Sequence, residues 1–185
     1  MMSDATAAIS VRPILAGDAA AFRALRIEAL ARCPLAFNSD AAEAEARPAE
    51  AWASQVAAST GEGAQVIFLA ETPDGRLAGM AGVYTSPQVK VAHTGNVFGV
   101  YVRDEFRGVG LGRALTQACI GWARDKGLVV LKLAVVDGND AARRLYEQCG
   151  FTPYGVEPAA LRYGGKLYDE TLMALRLDGP PADPR

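Results

Sequence analysis

Long hydrophobic runs are missing from this chain of 185 residues, and so is any block of basic residues. The first absence argues against a membrane-spanning helix, which needs about twenty consecutive apolar residues. The second, with a net charge of −2, argues against a nucleic-acid surface as the main business of the protein. The opening stretch MMSDATAAIS has neither the basic nor the apolar region of a signal peptide. Cysteine is scarce. Cys33, Cys119 and Cys149 are odd in number, far apart and without a CxxC pair, so a reducing cytoplasm is the expected setting and no metal ligand set is expected. Histidine occurs once, at His93. Two phosphate-binding signatures are also absent. No G-x-x-x-x-G-K-[ST] run exists, and a dinucleotide register counted from Gly108 puts Arg113 where its third glycine belongs.

What is there is an ordinary globular composition, half apolar, and long enough for one domain with a sizeable core. The chain is organised around Val97 to Leu115, VFGVYVRDEFRGVGLGRAL. It starts as an apolar run rich in Val, Phe and Tyr, the composition of a buried strand. A charged link from Arg103 to Phe106 follows. Arg107-Gly108-Val109-Gly110-Leu111-Gly112 then opens a segment with apolar residues at helical spacing: Leu111, Leu115, Ala118 and Trp122. Strand, glycine-rich loop and helix together make an anion cradle. Several amides there lack intrahelical partners, the helix dipole adds positive charge, and glycines let a diphosphate approach the main chain.

The other elements follow from local signals. Ile9 to Ile14 alternates and reads as a strand. Asp18 is a candidate N-cap for a helix through Phe22, Leu25, Ala29 and Leu30, ending near Pro34. Leu35 to Arg47 has no clear period and reads as a loop with at most a helical turn. Pro48, Trp52, Val56 and Gly61 mark a second helix. Val66 to Glu71 and Leu77 to Tyr84 form a hairpin around Pro73-Asp74-Gly75. The helix after the glycine loop spans Val109 to about Lys126. Leu128 to Val136 is a nearly continuous apolar run, expected to be a strand buried on both faces and parallel to the one ending at Val102. A helix capped at Asp137 to Asp140 places Ala142, Leu145, Tyr146 and Cys149 on one face. Phe151 to Val156 and Glu170 to Leu177 read as closing strands joined by a loop containing Tyr163-Gly164-Gly165. The tail 178–185, DGPPADPR, is expected to be disordered.

The glycine loop resembles the acyl-CoA signature R-x-x-G-x-G of the GNAT-superfamily N-acetyltransferases, through Arg107, Gly110 and Gly112. A second stretch, Asn139 to Phe151, is similar to that family's N-x-x-A-x-x-L-Y-x-x-x-G-F pattern, through Asn139, Ala142, Leu145, Tyr146, Gly150 and Phe151. One departure is Arg103, where a proline is common. The resemblance implies an α/β (α+β) fold over 1–177. Its central sheet would be mixed and mostly antiparallel, with a splayed parallel strand pair and helices on both faces.

It also implies acetyl-CoA as co-substrate. The pantetheine arm would pair with the strand at Val100, Tyr101 and Val102, and one amide there would act as an oxyanion donor. The pyrophosphate would lie on Arg107, Gly108, Val109, Gly110, Leu111, Gly112 and Arg113. Asn139 would bond the pantetheine, and Tyr146 would be both a cofactor contact and the general acid that protonates the leaving thiolate. On spacing alone, Tyr146 is a core aromatic.

The general base is open among Glu28, Glu43, Glu45, His93 and ordered water. His93 lies seven residues before Val100, roughly 23 Å along an extended strand. The expected reaction is direct acetyl transfer to a primary amine in a ternary complex, because no activated Cys or Ser lies near the motifs. The acceptor is expected to be a small molecule, and a homodimer is left open. The rivals are a non-catalytic acyl-CoA sensor, a peptide or protein N-acetyltransferase, and a nicotinamide-dependent oxidoreductase. The last is disfavoured by the failed third glycine.

Overall fold

The computed structural model describes residues 9–179. Its strands are β1 (Ser10–Pro13), β2 (Gln65–Glu71), β3 (Leu77–Thr85), β4 (Thr94–Val102), β5 (Val130–Val136), β6 (Thr152–Tyr163) and β7 (Lys166–Arg176). The helices are α1 (Ala19–Arg32), α2 (Ala41–Ala46), α3 (Ala49–Ala58), α4 (Leu111–Asp125) and α5 (Asp140–Gln148). The strands form one sheet in the order β1-β2-β3-β4-β5-β7-β6. Every neighbouring pair is antiparallel except β4 and β5.

Each face of the sheet carries its own apolar layer. On one face Leu115, Cys119 and Ile120 of α4 and Tyr146 of α5 pack on Leu131, Leu133, Val135 and Met173. On the other, Phe22 and Leu25 of α1 and Trp52 and Val56 of α3 pack on Ile67, Leu69, Met80 and Tyr101. Strand alternation produces this division, since successive residues point to opposite faces.

The parallel pair is the expected one, but it is short: only Thr94–Asn96 align with Val130–Lys132. Past Asn96 the two strands part. This corrects the reading of Leu128 to Val136 as buried on both faces. Leu131, Leu133 and Val135 are buried, while Lys132 is half-buried and Ala134 exposed, because the second face lines the opening. Opposite the opening, Gly99 and Val100 together face Ala81 alone in the β3–β4 register, a bulge with Gly99 at φ +66°. Bulges bend a strand and re-aim its groups.

Several local expectations are also corrected. Asp18 stands at the N-cap position of α1 as expected, but its side chain makes no capping hydrogen bond there. Its carboxylate accepts from the Leu15 amide (2.7 Å) and pairs with Arg12. The segment read as a loop contains α2, capped by Asp40, whose carboxylate accepts from the Ala42 and Glu43 amides. Helix α4 begins at Leu111, because Gly108 and Gly110 hold positive φ in the preceding loop. The closing strands are longer than expected and meet in a tight Gly164-Gly165 turn. Residues 180–185, most of the tail expected to be disordered, lie outside the described residues.

Where β3 meets β4, a Cβ on Gly79 would stand 2.7 Å from the Tyr101 carbonyl oxygen and 3.1 Å from Leu115 Cδ1. Gly79→Ala is therefore expected to lower the unfolding free energy by about 1–3 kcal/mol through overpacking. Gly121→Ala, inside α4 with nothing within 4 Å of its Cβ, is expected to raise it by about 0.5–1 kcal/mol. Urea denaturation followed by circular dichroism reads both. A Gly79→Ala variant as stable as the parent would show that the strands can part there at no cost.

Candidate active site

The parting of β4 and β5 opens a cleft of about 520 Å³. Its lining includes Phe98, Gly99 and Val100 of β4, Lys132 to Val136 of β5, Glu170 of β7, and Asn139, Ala142 and Tyr146 from the start of α5. Beyond Asn96, one edge of β4 has no strand partner, so its backbone groups face the cleft and require a hydrogen-bonding occupant or water.

The glycine loop follows the end of β4 and none of its residues lines this cleft. The first backbone bond of α4 runs from the Ala114 N–H to the Gly110 carbonyl (3.0 Å), so the amides of Leu111, Gly112 and Arg113 lack intrahelical partners. Gly108 (φ +80°) and Gly110 (φ +83°) have open space where a Cβ would stand. Gly112 has a different role. Its Cβ would meet Leu145 Cδ2 at 3.1 Å and Val102 Cγ2 at 3.9 Å, so it lets the first turn of α4 pack against α5 and the end of β4. That packing holds the loop next to the cleft.

The residues expected to form the site are thus not all used in the same way. Val100, Asn139 and Tyr146 meet in one cleft. Tyr101 can offer only its backbone there, because its side chain is buried (4 % exposed) on the α1 face and its hydroxyl donates to Glu28 Oε1 at 3.0 Å. Burial, and next the neighbouring Glu28 carboxylate, push this phenol up to about 12. Leu111 is similarly buried and Val109 is exposed, so both can contribute only amides to an anion. The Val102 carbonyl accepts from Arg107 Nε (3.1 Å), and Arg107 also pairs with Asp104 at 2.8 Å. Arg107 therefore ties the loop to the end of β4. Arg113 is exposed on the first turn of α4. The Asn139 side chain accepts from the Ala142 amide at 3.2 Å and caps α5 through its oxygen.

Tyr146 is 8 % exposed and packs edge-on against Phe151. Burial raises its pKa well above the ordinary tyrosine value, so the phenol stays protonated throughout the neutral range. Cys119 and Cys149, its neighbours, are buried free thiols whose pKa values burial also raises. Neither is an activated nucleophile.

Among the base candidates, Glu28 is committed elsewhere. Its carboxylate accepts from Arg103 Nε and Nη2 (3.1 and 2.9 Å) as well as from Tyr101. Arg103, standing where the resembling family often has proline, thus anchors the β4 exit to α1. His93 is exposed at the start of β4 and Glu45 is exposed on α2, and neither lines the cleft. Glu43 lines an adjoining cavity. Sequence reading passed over Glu170 as a base. It is 8 % exposed, lines the cleft, and burial, with a smaller contribution from Glu157, raises its pKa. Register explains its placement. Glu170 pairs with Val136, and Leu172 with Ala134, on the face opposite Leu133 and Val135, a pairing invisible before the strands align.

The fold is a mixed α/β sheet with one parallel pair that parts, followed by a glycine-rich helix start. The family model described as "Acetyltransferase (GNAT) family" matches residues 27–151. The chain belongs to the GNAT acetyltransferase family. It is 44 % identical over 79 residues to an L-methionine sulfoximine/L-methionine sulfone acetyltransferase of Pseudomonas aeruginosa, covering 43 % of this chain and 46 % of that protein. To a mycothiol acetyltransferase of Arthrobacter it is 31 % identical over 164 residues, covering 85 % and 46 % respectively. The chain thus spans under half the length of these relatives. A GNAT-family acetyltransferase from Streptococcus pneumoniae superposes with a TM-score of 0.80 at 25 % identity, covering 91 % of this chain and 99 % of that one. A phosphinothricin acetyltransferase from Sinorhizobium meliloti in complex with acetyl-CoA shares the fold, with a TM-score of 0.79 at 18 % identity over 91 % and 88 %. Among the described residues, no helix is long and apolar enough to cross a membrane, and no group of three His, Cys, Asp or Glu side chains is placed to hold a metal.

Proposed function

We propose that this protein is an acetyl-CoA-dependent N-acetyltransferase that acts on a small-molecule primary amine by direct transfer in a ternary complex. The observation that carries the reading is the cleft itself. Free strand groups of β4, the protonated Tyr146 and the raised carboxylate of Glu170 line one opening, and the loop that follows β4 carries a cradle of unpaired amides. The relatives that act on methionine sulfoximine and mycothiol support a small-molecule acceptor.

Acetyl-CoA supplies an activated acetyl group, and its pyrophosphate fits the amides from Gly108 to Arg113, where two glycines leave space at the main chain. The unpaired edge of β4 at Val100 offers the amide-bearing arm a strand-like partner and the thioester oxygen a donor. Glu170 accepts the proton of the incoming ammonium, which leaves the amine lone pair free to attack. Burial suits it to this task, because a carboxylate moved up toward neutrality is a stronger base than an exposed one. As the nitrogen attacks the carbonyl carbon and the C–S bond breaks, Tyr146 donates its hydroxyl proton to the departing thiolate. The phenol is restored by the second proton that the nitrogen sheds on becoming an amide. The raised pKa of Tyr146 guarantees that its proton is present.

Gly110→Val should abolish acetyl-CoA binding as read by calorimetry, because a branched Cβ would fill the open space at the cradle. The φ of +83° adds strain of about 1–2 kcal/mol, so thermal denaturation must accompany the titration. A folded variant that binds as tightly as the parent would place the phosphates elsewhere.

Tyr146→Phe keeps the packing and removes one hydroxyl. Turnover of an accepted amine should fall about a hundredfold or more, in kcat, with acetyl-CoA affinity nearly unchanged. A loss confined to the KM for acetyl-CoA would make Tyr146 a binding residue only.

Glu170 must be ionised to act, so kcat should rise with pH through a pKa above the ordinary glutamate value and then level off. Glu170→Gln should remove that rise and lower the plateau about a hundredfold. An unchanged pH profile would reject Glu170 as the base. Acetyl-CoA binding without turnover of any amine would favour the sensor alternative.

A further inference from the structure

A second cavity, of about 320 Å³, adjoins the cleft on the α1 side and shares Arg26, Ser39, Gln55, Phe98 and Gly99 with it. Phe22, Leu30, Trp52, Ile67, Met80 and Phe98 form the apolar part of its wall, and Arg26, Asp40, Glu43, Arg47 and Gln55 the polar part. Two buried donors that line it have no hydrogen-bond partner, Arg26 Nη1 and Trp52 Nε1. Buried donors are nearly always paired, so two of them in one cavity mark a place where an acceptor-bearing ligand belongs.

Arg26 is the stronger of the two. Its guanidinium lies over the Phe37 ring, 4.5 Å from the centroid, and Nη1 has no acceptor. Nη1 points at the bulge, 3.6 Å from where a Cβ on Gly99 would stand. No carboxylate pairs with Arg26 among the described residues, and burial has lowered its pKa to about 10. The other charged groups on the cavity wall are accounted for. Arg47 is bound to Gln55 and to the Ala51 carbonyl and lies over the Trp52 ring. Asp40 caps α2, and both it and Glu43 stand exposed at the rim.

Acetyl-CoA does not supply the missing anion. Its phosphates belong to the glycine loop beyond the end of β4, and Gly99 lies roughly 10 Å along the strand before that end. The part of the molecule that enters the cleft near the bulge is uncharged.

We propose that Arg26 binds the carboxylate of the acceptor, so that the amine acetylated is an α-amino acid or a close analogue, with an apolar side chain seated among Phe22, Trp52, Ile67 and Met80. This rests on the acetyl-transfer reading above and narrows it. A carboxylate on Nη1 beside Gly99 puts the α-amine at the bulge, where β4 has unpaired backbone groups. Trp52 Nε1 is left for a second acceptor on the side chain or for the other carboxylate oxygen. The carboxylate replaces water around a buried cation, so losing it from the substrate leaves the cation unpaired, which is the arrangement that discriminates most strongly.

The test compares L-leucine, L-phenylalanine and L-methionine sulfone with their primary amides, as acceptors for acetyl-CoA and the full-length chain. The acids should be turned over with a kcat/KM at least tenfold above the amides, expressed mainly in KM. In Arg26→Gln the acid-to-amide ratio should fall to near one, and Arg26→Lys should keep part of it. Acids and amides used equally by the parent would overturn the proposal and leave acetyl transfer standing, and the parent comparison needs no variant to fold. An equal loss of acetyl-CoA affinity in Arg26→Gln would overturn it too, by making Arg26 a co-substrate residue. If no amine were turned over, the acetyl-transfer reading would fail. The carboxylate site is then judged by calorimetry of N-acetyl-L-leucine against N-acetyl-L-leucinamide on CoA-saturated protein. Tighter binding of the acid supports it, and equal binding or none overturns it.

Discussion

Three residue pairs of parallel sheet, Thr94–Asn96 against Val130–Lys132, are what the rest of this molecule depends on. They join the antiparallel block β1 to β4 to the block β5 to β7. Because the pairing stops at Asn96, the same junction leaves a row of β4 backbone groups without a protein partner. Unpaired buried backbone is costly unless something else bonds it. Here the cost falls in a cleft where an amide-bearing ligand could relieve it, which is why the proposed binding surface coincides with the weakest seam of the sheet.

The surroundings keep that seam open without letting it collapse. A bulge at Gly99 and Val100 interrupts the β3–β4 register beside the opening, and bulges bend a strand. The close contact of Gly112 with Leu145 packs the start of α4 onto α5, so the glycine loop and Tyr146 stand on two helices that touch each other. Arg103 and Arg107 hold the exit of β4 through Glu28 and the Val102 carbonyl. Exposed ion pairs add little to stability. Those of Arg103 with Glu28 are less exposed and bidentate, and their main effect is to fix the direction in which the chain leaves the strand.

The two faces of the sheet divide the chemistry. Tyr146 reaches the cleft from the α4 and α5 face, where burial keeps its proton on. Glu170 belongs to the opposite face, with Phe98, Lys132 and Leu172, where the acceptor cavity opens under α1. In the proposed reaction the opposite placement of Tyr146 and Glu170 matches a proton lost from the incoming group and one gained by the departing group. A raised pKa makes Glu170 the stronger base and keeps the Tyr146 proton in place, while it also makes the phenol a weaker donor.

The order of the elements, the glycine loop before α4 and the position of Asn139 and Tyr146 on one helix were legible in the sequence. These depend on local signals: glycines that permit positive φ, the helical spacing of Leu111, Leu115 and Ala118, and the apolar run before them. The motif resemblance worked for the same reason, since both signatures are contiguous. What lay beyond the sequence involves partners distant along the chain. Glu170 becomes a cleft residue only because Val136 pairs with it, and Glu28 is removed from the candidate bases only because Arg103, seventy-five residues later, folds back onto it. Arg26 reads as one more charge on an amphipathic helix until α1 lies across β4 and its Nη1 is buried beside Gly99 with no acceptor in reach. Local geometry is written in neighbouring residues. Burial and pairing are properties of the packed whole, and at this site they decide which charged side chains are free to act.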